Sequence, residues 1–184
     1  MEIVVGITGA TGSIYAVRLL EALKEKGVYT HLIMSYWARE NLIVEAKYSP
    51  DYLESLAAEV HDNKNLGART SSGSYVTDGM VVVPCSMKTL SSIANGYCEN
   101  LISRSADVTI KEGRKLVICP RETPLNVIHL ENMLRLARIG VRVVPPMPAF
   151  YNHPSSIEDI ISHHVMKLLD QFGISNANGN RWNG

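Results

Sequence analysis

Short runs of β-branched and apolar residues alternate with amphipathic helical periods along this chain, and that alternation leaves few folds open. Strand-like runs occupy residues 3–7, 29–34, 80–84, 115–120 and 141–144. Helical periods occupy residues 13–26, 36–46, 50–59, 88–94, 105–112, 126–139 and 155–172. A strand that returns through a helix pairs parallel to its predecessor, and a parallel sheet has to be covered on both faces. The predicted class is therefore α/β, a three-layer, Rossmann-like parallel sheet with helices on both faces in a single domain. Gly27 and Gly140 stop two of the helices. Ser156 is placed to cap the last one, where Glu158 and Asp159 suit the positive end of the helix. Residues 61–77 are polar and rich in Gly, Ser and Asn, and read as a loop with room for one short strand. The tail SNANGNRWNG has a disordered composition apart from Trp182.

Composition excludes several functions. Lys plus Arg and Asp plus Glu both number 18 in 184 residues, so there is no global electrostatic basis for binding nucleic acid or an acidic membrane. No apolar run approaches the roughly 20 residues that span a bilayer. The first residues lead straight into a strand, so no signal peptide is expected. The cysteines, Cys85, Cys98 and Cys119, are odd in number and form no CxxC, which predicts a reduced, cytoplasmic setting. The six histidines form neither HxH nor HExxH, and the adjacent His163 and His164 point to different faces of a helix, so no metal is expected.

The segment VVGITGATGSIY, Val4 to Tyr15, runs from a strand through glycines into a helix. Such a turn sets backbone N–H groups and a helix dipole where a phosphate can sit. A dinucleotide site needs GxGxxG and an acid at the end of the second strand. Here Gly6, Gly9 and Gly12 make GxxGxxG, and the second strand ends at Met34-Ser35 with no carboxylate. Neither YxxxK nor GxxxxGK[ST] occurs. What is left is a mononucleotide site of the FMN kind, with Ser35 as a neutral hydroxyl, or a tight turn that holds no ligand.

Ligands of open α/β sheets bind beyond the carboxyl ends of the strands. The third run ends in PCSMKT, where Ser86 and Thr89 offer hydroxyls at a helix start, although plain capping by Ser86 is the simpler role. Cys85 has no evident His partner and reads as a small buried thiol rather than a nucleophile. The fourth run ends in PRETP. Arg121 can grip a phosphate bidentately and Glu122 can move a proton, unless the two form a surface ion pair. The fifth ends in PPMPAFYNHP, a pre-ordered loop that either holds Phe150 and Tyr151 over a pocket or uses them as its own anchor. Lys167, and the basic set Arg104, Lys111 and Arg114, read by themselves as solvated helix faces.

Taken in order, GITGATGSIYAVRLL, DGMVVVPCSMKTL, SRSADVTIKEGRKLVICPRETPLNVIHLENM, PPMPAFYNHPSSIEDI, DQFGI and RWNG resemble the UbiX-type flavin prenyltransferases over nearly the whole chain. The resemblance implies a flavodoxin-like, Rossmann-type domain that binds FMN without metal. It implies transfer of a dimethylallyl group from dimethylallyl phosphate to N5 and C6 of reduced FMN, with phosphate released. The prenylated flavin then serves a UbiD-type decarboxylase. A homododecamer with sites at subunit junctions is implied as well. Carried over by position, Gly9, Ala10, Thr11, Ser35, Ser86, Met87, Lys88, Thr89 and Arg121 match flavin contacts. Tyr151 and Lys167 match prenyl-phosphate contacts, and Arg104 and Lys111 match cations lent by neighbouring subunits. Glu122 matches the proton-handling carboxylate, and Trp182 a tryptophan on a tail, from about residue 173, that closes over the site. Thr11 and Lys167 replace the Ser and Arg of other members; the hydroxyl and the charge survive, the forked geometry of Arg does not. Three rivals remain: a flavin-dependent decarboxylase of peptidyl or phosphopantothenoyl cysteine, direct decarboxylation of aromatic acids, and a flavin carrier without turnover. The first calls for an early histidine and a PAMN-like segment, where this chain has Ser13–Tyr15 and PRETP.

Overall fold

Val4 and Val5 point into different hydrophobic cores, and that period-two split runs through the whole sheet. A computed structural model describes residues 1–175. Six strands, β1 (Glu2–Ile7), β2 (Tyr29–Met34), β3 (Glu59–Asp62), β4 (Gly79–Cys85), β5 (Lys115–Pro120) and β6 (Arg142–Val143), form one sheet in the order β3-β2-β1-β4-β5-β6. Every pairing is parallel. The helices are α1 (Ser13–Glu25), α2 (Tyr36–Asn41), α3 (Pro50–Leu56), α4 (Met87–Ala94), α5 (Leu101–Lys111), α6 (Val127–Arg138) and α7 (Ile157–Gln171). On one face Val5, Leu32, Val81 and Val117 pack against Leu20 and Leu23 of α1 and Leu168 and Leu169 of α7. On the other, Val4, Ile33, Val82 and Ile118 meet Leu90 of α4, Leu101 and Ile102 of α5, and Leu136 of α6. The result is the three-layer α/β class expected of the alternation.

The strand order reverses direction between β1 and β4, so the loops that follow these two strands diverge and leave a crevice. Thr8 ties its rim together. Its hydroxyl donates to the Pro84 carbonyl at 2.8 Å and accepts from the Ser86 N–H at 2.7 Å.

Local sequence explains most element ends. Ser35 and Ser49 cap α2 and α3. Asn100, Asn126 and Ser156 build capping boxes at α5, α6 and α7. Four elements differ from the pattern-based expectation. The run at 36–46 is α-helical only to Asn41 and then widens into a π-helical turn, Leu42–Ala46. The run at 50–59 leaves the helix at Ala57, and Glu59–Asp62 becomes a strand because its backbone pairs with β2. That tertiary pairing overrides the local helical period. Helix α5 begins at Leu101, four residues earlier than its apolar period suggests, because the Asn100 cap starts it. The run at 141–144 reduces to the two residues of β6, as the prolines that follow cannot donate to a ladder.

His164 is buried on α7, with Nε2 lacking a partner and the Tyr15 ring edge-on at 4.8 Å. Burial, then the neighbouring His163, lowers its pKa to about 4. The unfolded chain therefore binds a proton near pH 6.5 that the folded chain refuses until about pH 4. Urea unfolding at several pH values is expected to show stability falling as pH drops through this window, by up to about 1.4 kcal/mol per pH unit for one proton. His164→Leu should flatten the slope, and an unchanged slope in that variant would contradict this account.

Candidate functional site

A cavity of about 390 Å³ opens at the carboxyl ends of β1, β2 and β4. Gly9, Ser35, Ser86, Lys88 and Thr89 line it, so five of the residues picked out by sequence meet at one place. Its polar wall is made of hydroxyls and amides together with the mutually paired charges of Lys88 and Glu99. Ser86 caps α4, accepting from the Thr89 N–H at 3.3 Å, and its hydroxyl donates to Thr89 Oγ1 at 3.1 Å. Capping and lining are thus one role of the same hydroxyl. The N–H groups of Met87 and Lys88, in the first turn of α4, meet no acceptor among the described residues. Lys88 forms an ion pair with Glu99 at 2.7 Å. The end of β2 offers the hydroxyl of Ser35, which accepts from the Ala38 N–H at 3.1 Å, and no carboxylate. The arrangement is an anion seat beside a neutral wall, which suits a phosphate carried by an uncharged body.

The turn after β1 departs from its expected use. The carboxylate of Glu45, on the π-helical turn, accepts from the Thr11 hydroxyl, from the Gly12 N–H at 2.9 Å, and from the Ser13 N–H and hydroxyl at 3.3 and 3.1 Å. An internal anion thus occupies the start of α1, and the open helix start on this rim is that of α4. Glycine is still required in this turn. A Cβ at Gly9 would lie 2.3 Å from Cβ of Trp37, and Gly12 adopts φ +99° at the helix cap.

The other sequence-derived residues fall in distinct places. Ala10 is buried, and Met87 packs into the α4–α5 core instead of lining the cavity. Arg121 follows β5 and donates its N–H to the Cys85 carbonyl at 3.2 Å, which fixes it beside the end of β4. Glu122 is exposed and accepts from the Thr123 N–H at 3.0 Å. The Tyr151 hydroxyl and His163 Nε2 lie 2.9 Å apart, with Lys167 one turn further along α7. Arg104 bonds the Ser71 carbonyl and Asp107, and Lys111 pairs with Glu112. Neither of these cations lines the cavity of its own chain. Burial pushes the Cys85 thiol up to about 12 and the Cys119 thiol well above its usual value, which removes both as nucleophiles. Trp182 and most of the tail lie outside the described residues.

Sequence reasoning missed Trp37, Asn63, Asn100 and Ser103 on the cavity wall, and His163 behind Tyr151. Asn63 follows a strand whose residues the sequence pattern divides between a helix end and a polar loop with room for one short strand, and Asn100 and Ser103 open a helix that was expected to begin later. It also missed an apolar surface: Leu125, Val127, Ile128, Leu130 and Leu134 are exposed on and before α6, as are Met147 and Phe150 after β6. No helix among the described residues is long and apolar enough to cross a membrane.

Known proteins resemble this chain over its full length. Residues 1–169 match the Flavoprotein family. The flavin prenyltransferase LpdB of Lactiplantibacillus plantarum is 57% identical over 184 residues, covering 100% of this chain and 98% of its own. A dodecameric FMN-dependent UbiX-like decarboxylase from Escherichia coli O157:H7 has a crystal structure that superposes with TM-score 0.98, at 54% identity over 100% of both chains. The structure of AnUbiX (PadA1) in complex with FMN and dimethylallyl pyrophosphate also superposes with TM-score 0.98, at 49% identity over 100% of this chain and 97% of that one. By full-length identity and by fold, this chain belongs to the flavoprotein family and, within it, to the UbiX-like flavin prenyltransferases.

Proposed function

We propose that this chain is a flavin prenyltransferase that moves a dimethylallyl group from dimethylallyl phosphate to N5 and C6 of reduced FMN and hands the product to a UbiD-type decarboxylase. The observation that carries this reading is the cavity at the β1/β4 crevice, where an open helix start meets a neutral wall. The residues present fit FMN. The first-turn amides of α4, with Ser86, Lys88 and Thr89, would hold its phosphate. Gly9, Ala10, Thr11 and Ser35 would border its uncharged part, with Arg121 at the rim. When bound and reduced, FMN supplies the nucleophilic ring positions.

The chain's own groups do the remaining work. A departing allylic phosphate needs positive charge at its oxygens and a dry aromatic surround for the cationic carbon. Lys167 stands beside the Tyr151–His163 pair and supplies charge from the same chain. Arg104 and Lys111 do not line their own cavity, which suits cations lent to a neighbour's site. Tyr151 supplies an aromatic face, and Trp182 on the tail supplies a second. Glu122, exposed at the end of β5, takes up the proton lost from the ring. One domain, closed by its tail, carries all of this, and the setting is cytoplasmic.

The apolar surface along α6 is the inter-subunit contact of a homo-oligomer, a dodecamer like that of the Escherichia coli O157:H7 protein. Direct decarboxylation is the competing reading, because that same protein is described as a decarboxylase. Product identity separates the two.

Purified protein, given reduced FMN and dimethylallyl phosphate anaerobically with no divalent metal added, is expected to yield a flavin heavier by one C5H8 unit in mass spectrometry. Carbon dioxide from a phenolic acid, with the flavin unchanged, would support the competing reading instead. Glu122→Gln should slow single-turnover prenylation about 10²-fold while FMN affinity stays within about twofold. Normal turnover in that variant would end the proton-handling role. Leu134→Asp should shift the protein to smaller species in sedimentation without loss of helix content, and an unchanged assembly would place the interface elsewhere.

A further inference from the structure

A second polar cluster lies on the same sheet, nearer the amino ends of its strands. In the β2/β3 pair His31 stands opposite Glu59, and Ile33 opposite His61. The two-residue strand period puts Glu59 and His61 on one face of β3, beside His31. His31 Nδ1 lies 2.9 Å from His61 Nε2 and 2.9 Å from Glu59 Oε2, and the last two atoms are 3.5 Å apart. A tetrahedral ion with bonds of about 2.0–2.1 Å sets its ligand atoms about 3.3 Å apart, within this range.

Hydrogen bonds alone leave the cluster unbalanced. His31 is fully buried, and its Nε2 lies 2.6 Å from Glu2 Oε1, so that carboxylate takes the Nε2 hydrogen. Nδ1 then faces two atoms at once, His61 Nε2 and Glu59 Oε2, and one hydrogen cannot serve both. Glu59 Oε2 is buried and is left without a hydrogen-bond partner. A cation among the three atoms turns all of them into ligands. The surroundings hold the groups in this arrangement. Arg69 pairs with the other Glu59 oxygen at 3.1 Å, and the Tyr75 hydroxyl bonds Glu2.

We propose that His31 Nδ1, His61 Nε2 and Glu59 Oε2 bind one divalent ion of the zinc class, with Glu2 as the outer carboxylate that orients His31. Two imidazoles and one carboxylate favour such an ion over magnesium or calcium, and a water completes the tetrahedron on the half-exposed side. The ion clamps a four-residue edge strand to its neighbour. Directly after that strand comes Asn63, which accepts from the Leu101 and Ile102 N–H groups at 2.8 and 3.1 Å and lines the cavity described above. The role is structural and does not depend on the flavin reading. No sequence motif announces it, because the ligands come from two strands whose pairing is not written in either one.

Tag-free protein, stripped with chelator and returned to metal-free buffer, tests this by titration with Zn²⁺ in a calorimeter and with Co²⁺ by visible absorption. One equivalent per chain and the visible bands of tetrahedral cobalt are expected. Glu59→Gln and His61→Gln should each lose that equivalent with far-UV circular dichroism unchanged. Glu2→Gln should weaken binding about 10–100-fold, while His163→Gln keeps full uptake. The wild-type stoichiometry and cobalt spectrum decide the matter even if a variant fails to fold. No stoichiometric uptake by the wild type, an octahedral cobalt spectrum, or equal uptake by folded Glu59→Gln and His61→Gln would overturn the proposal.

Discussion

The reversal of strand order between β1 and β4 is the constraint on which the rest of this molecule depends. It opens a crevice that the sheet cannot fill with its own side chains, and it turns two helix starts toward that crevice. Thr8 bridges the gap with one hydroxyl, bonded to both Pro84 and Ser86. That bridge fixes the cap of α4 against the end of β1. The two helix starts then take different partners. At α1 the N–H groups receive Glu45 from within the chain, and at α4 the first-turn amides stay open beside Ser86 and Thr89. An internal carboxylate at one start and an open seat at the other give the rim a direction: a seat for an anion on one side, neutral groups on the other.

The same geometry explains why a single chain looks incomplete as a catalyst. The cations Arg104 and Lys111 sit on α5, bonded to Asp107 and Glu112, and neither borders the cavity of its own chain. The exposed apolar residues of α6 and of the segment after β6 are a surface that water does not favour. Burying that surface between copies, and completing one subunit's cavity with another's cations, are in this reading one event. Assembly then contributes to chemistry as well as to stability.

The layers were legible because buried parallel strands are written as unbroken apolar runs, and β1, β2, β4 and β5 lie within a residue or so of where their runs place them. Capping made the start of α7 readable at Ser156. What stayed hidden depends on pairing. β3 straddles a predicted helix end at Glu59 and a polar loop from His61 until β2 supplies its hydrogen bonds, and with β3 went Asn63 on the cavity wall and the Glu59–His61 pair beside His31. The partner of the α1 start was hidden for a similar reason. Glu45 lies more than thirty residues from Gly12 and arrives through a π-helical turn that no residue pattern marks. The roles proposed for Lys167 and Arg104 rest on the full-length resemblance, because spacing by itself reads both as solvated helix faces.

The central claim is that the start of α4, and not that of α1, seats the flavin phosphate. A crystal structure of the protein with FMN tests it directly. The account predicts phosphate oxygens within hydrogen-bonding distance of the Met87 and Lys88 N–H groups and the Ser86 hydroxyl, with Glu45 still bonded to Gly12 and Ser13. A phosphate on the Gly12 and Ser13 amides, with Glu45 displaced, would contradict it.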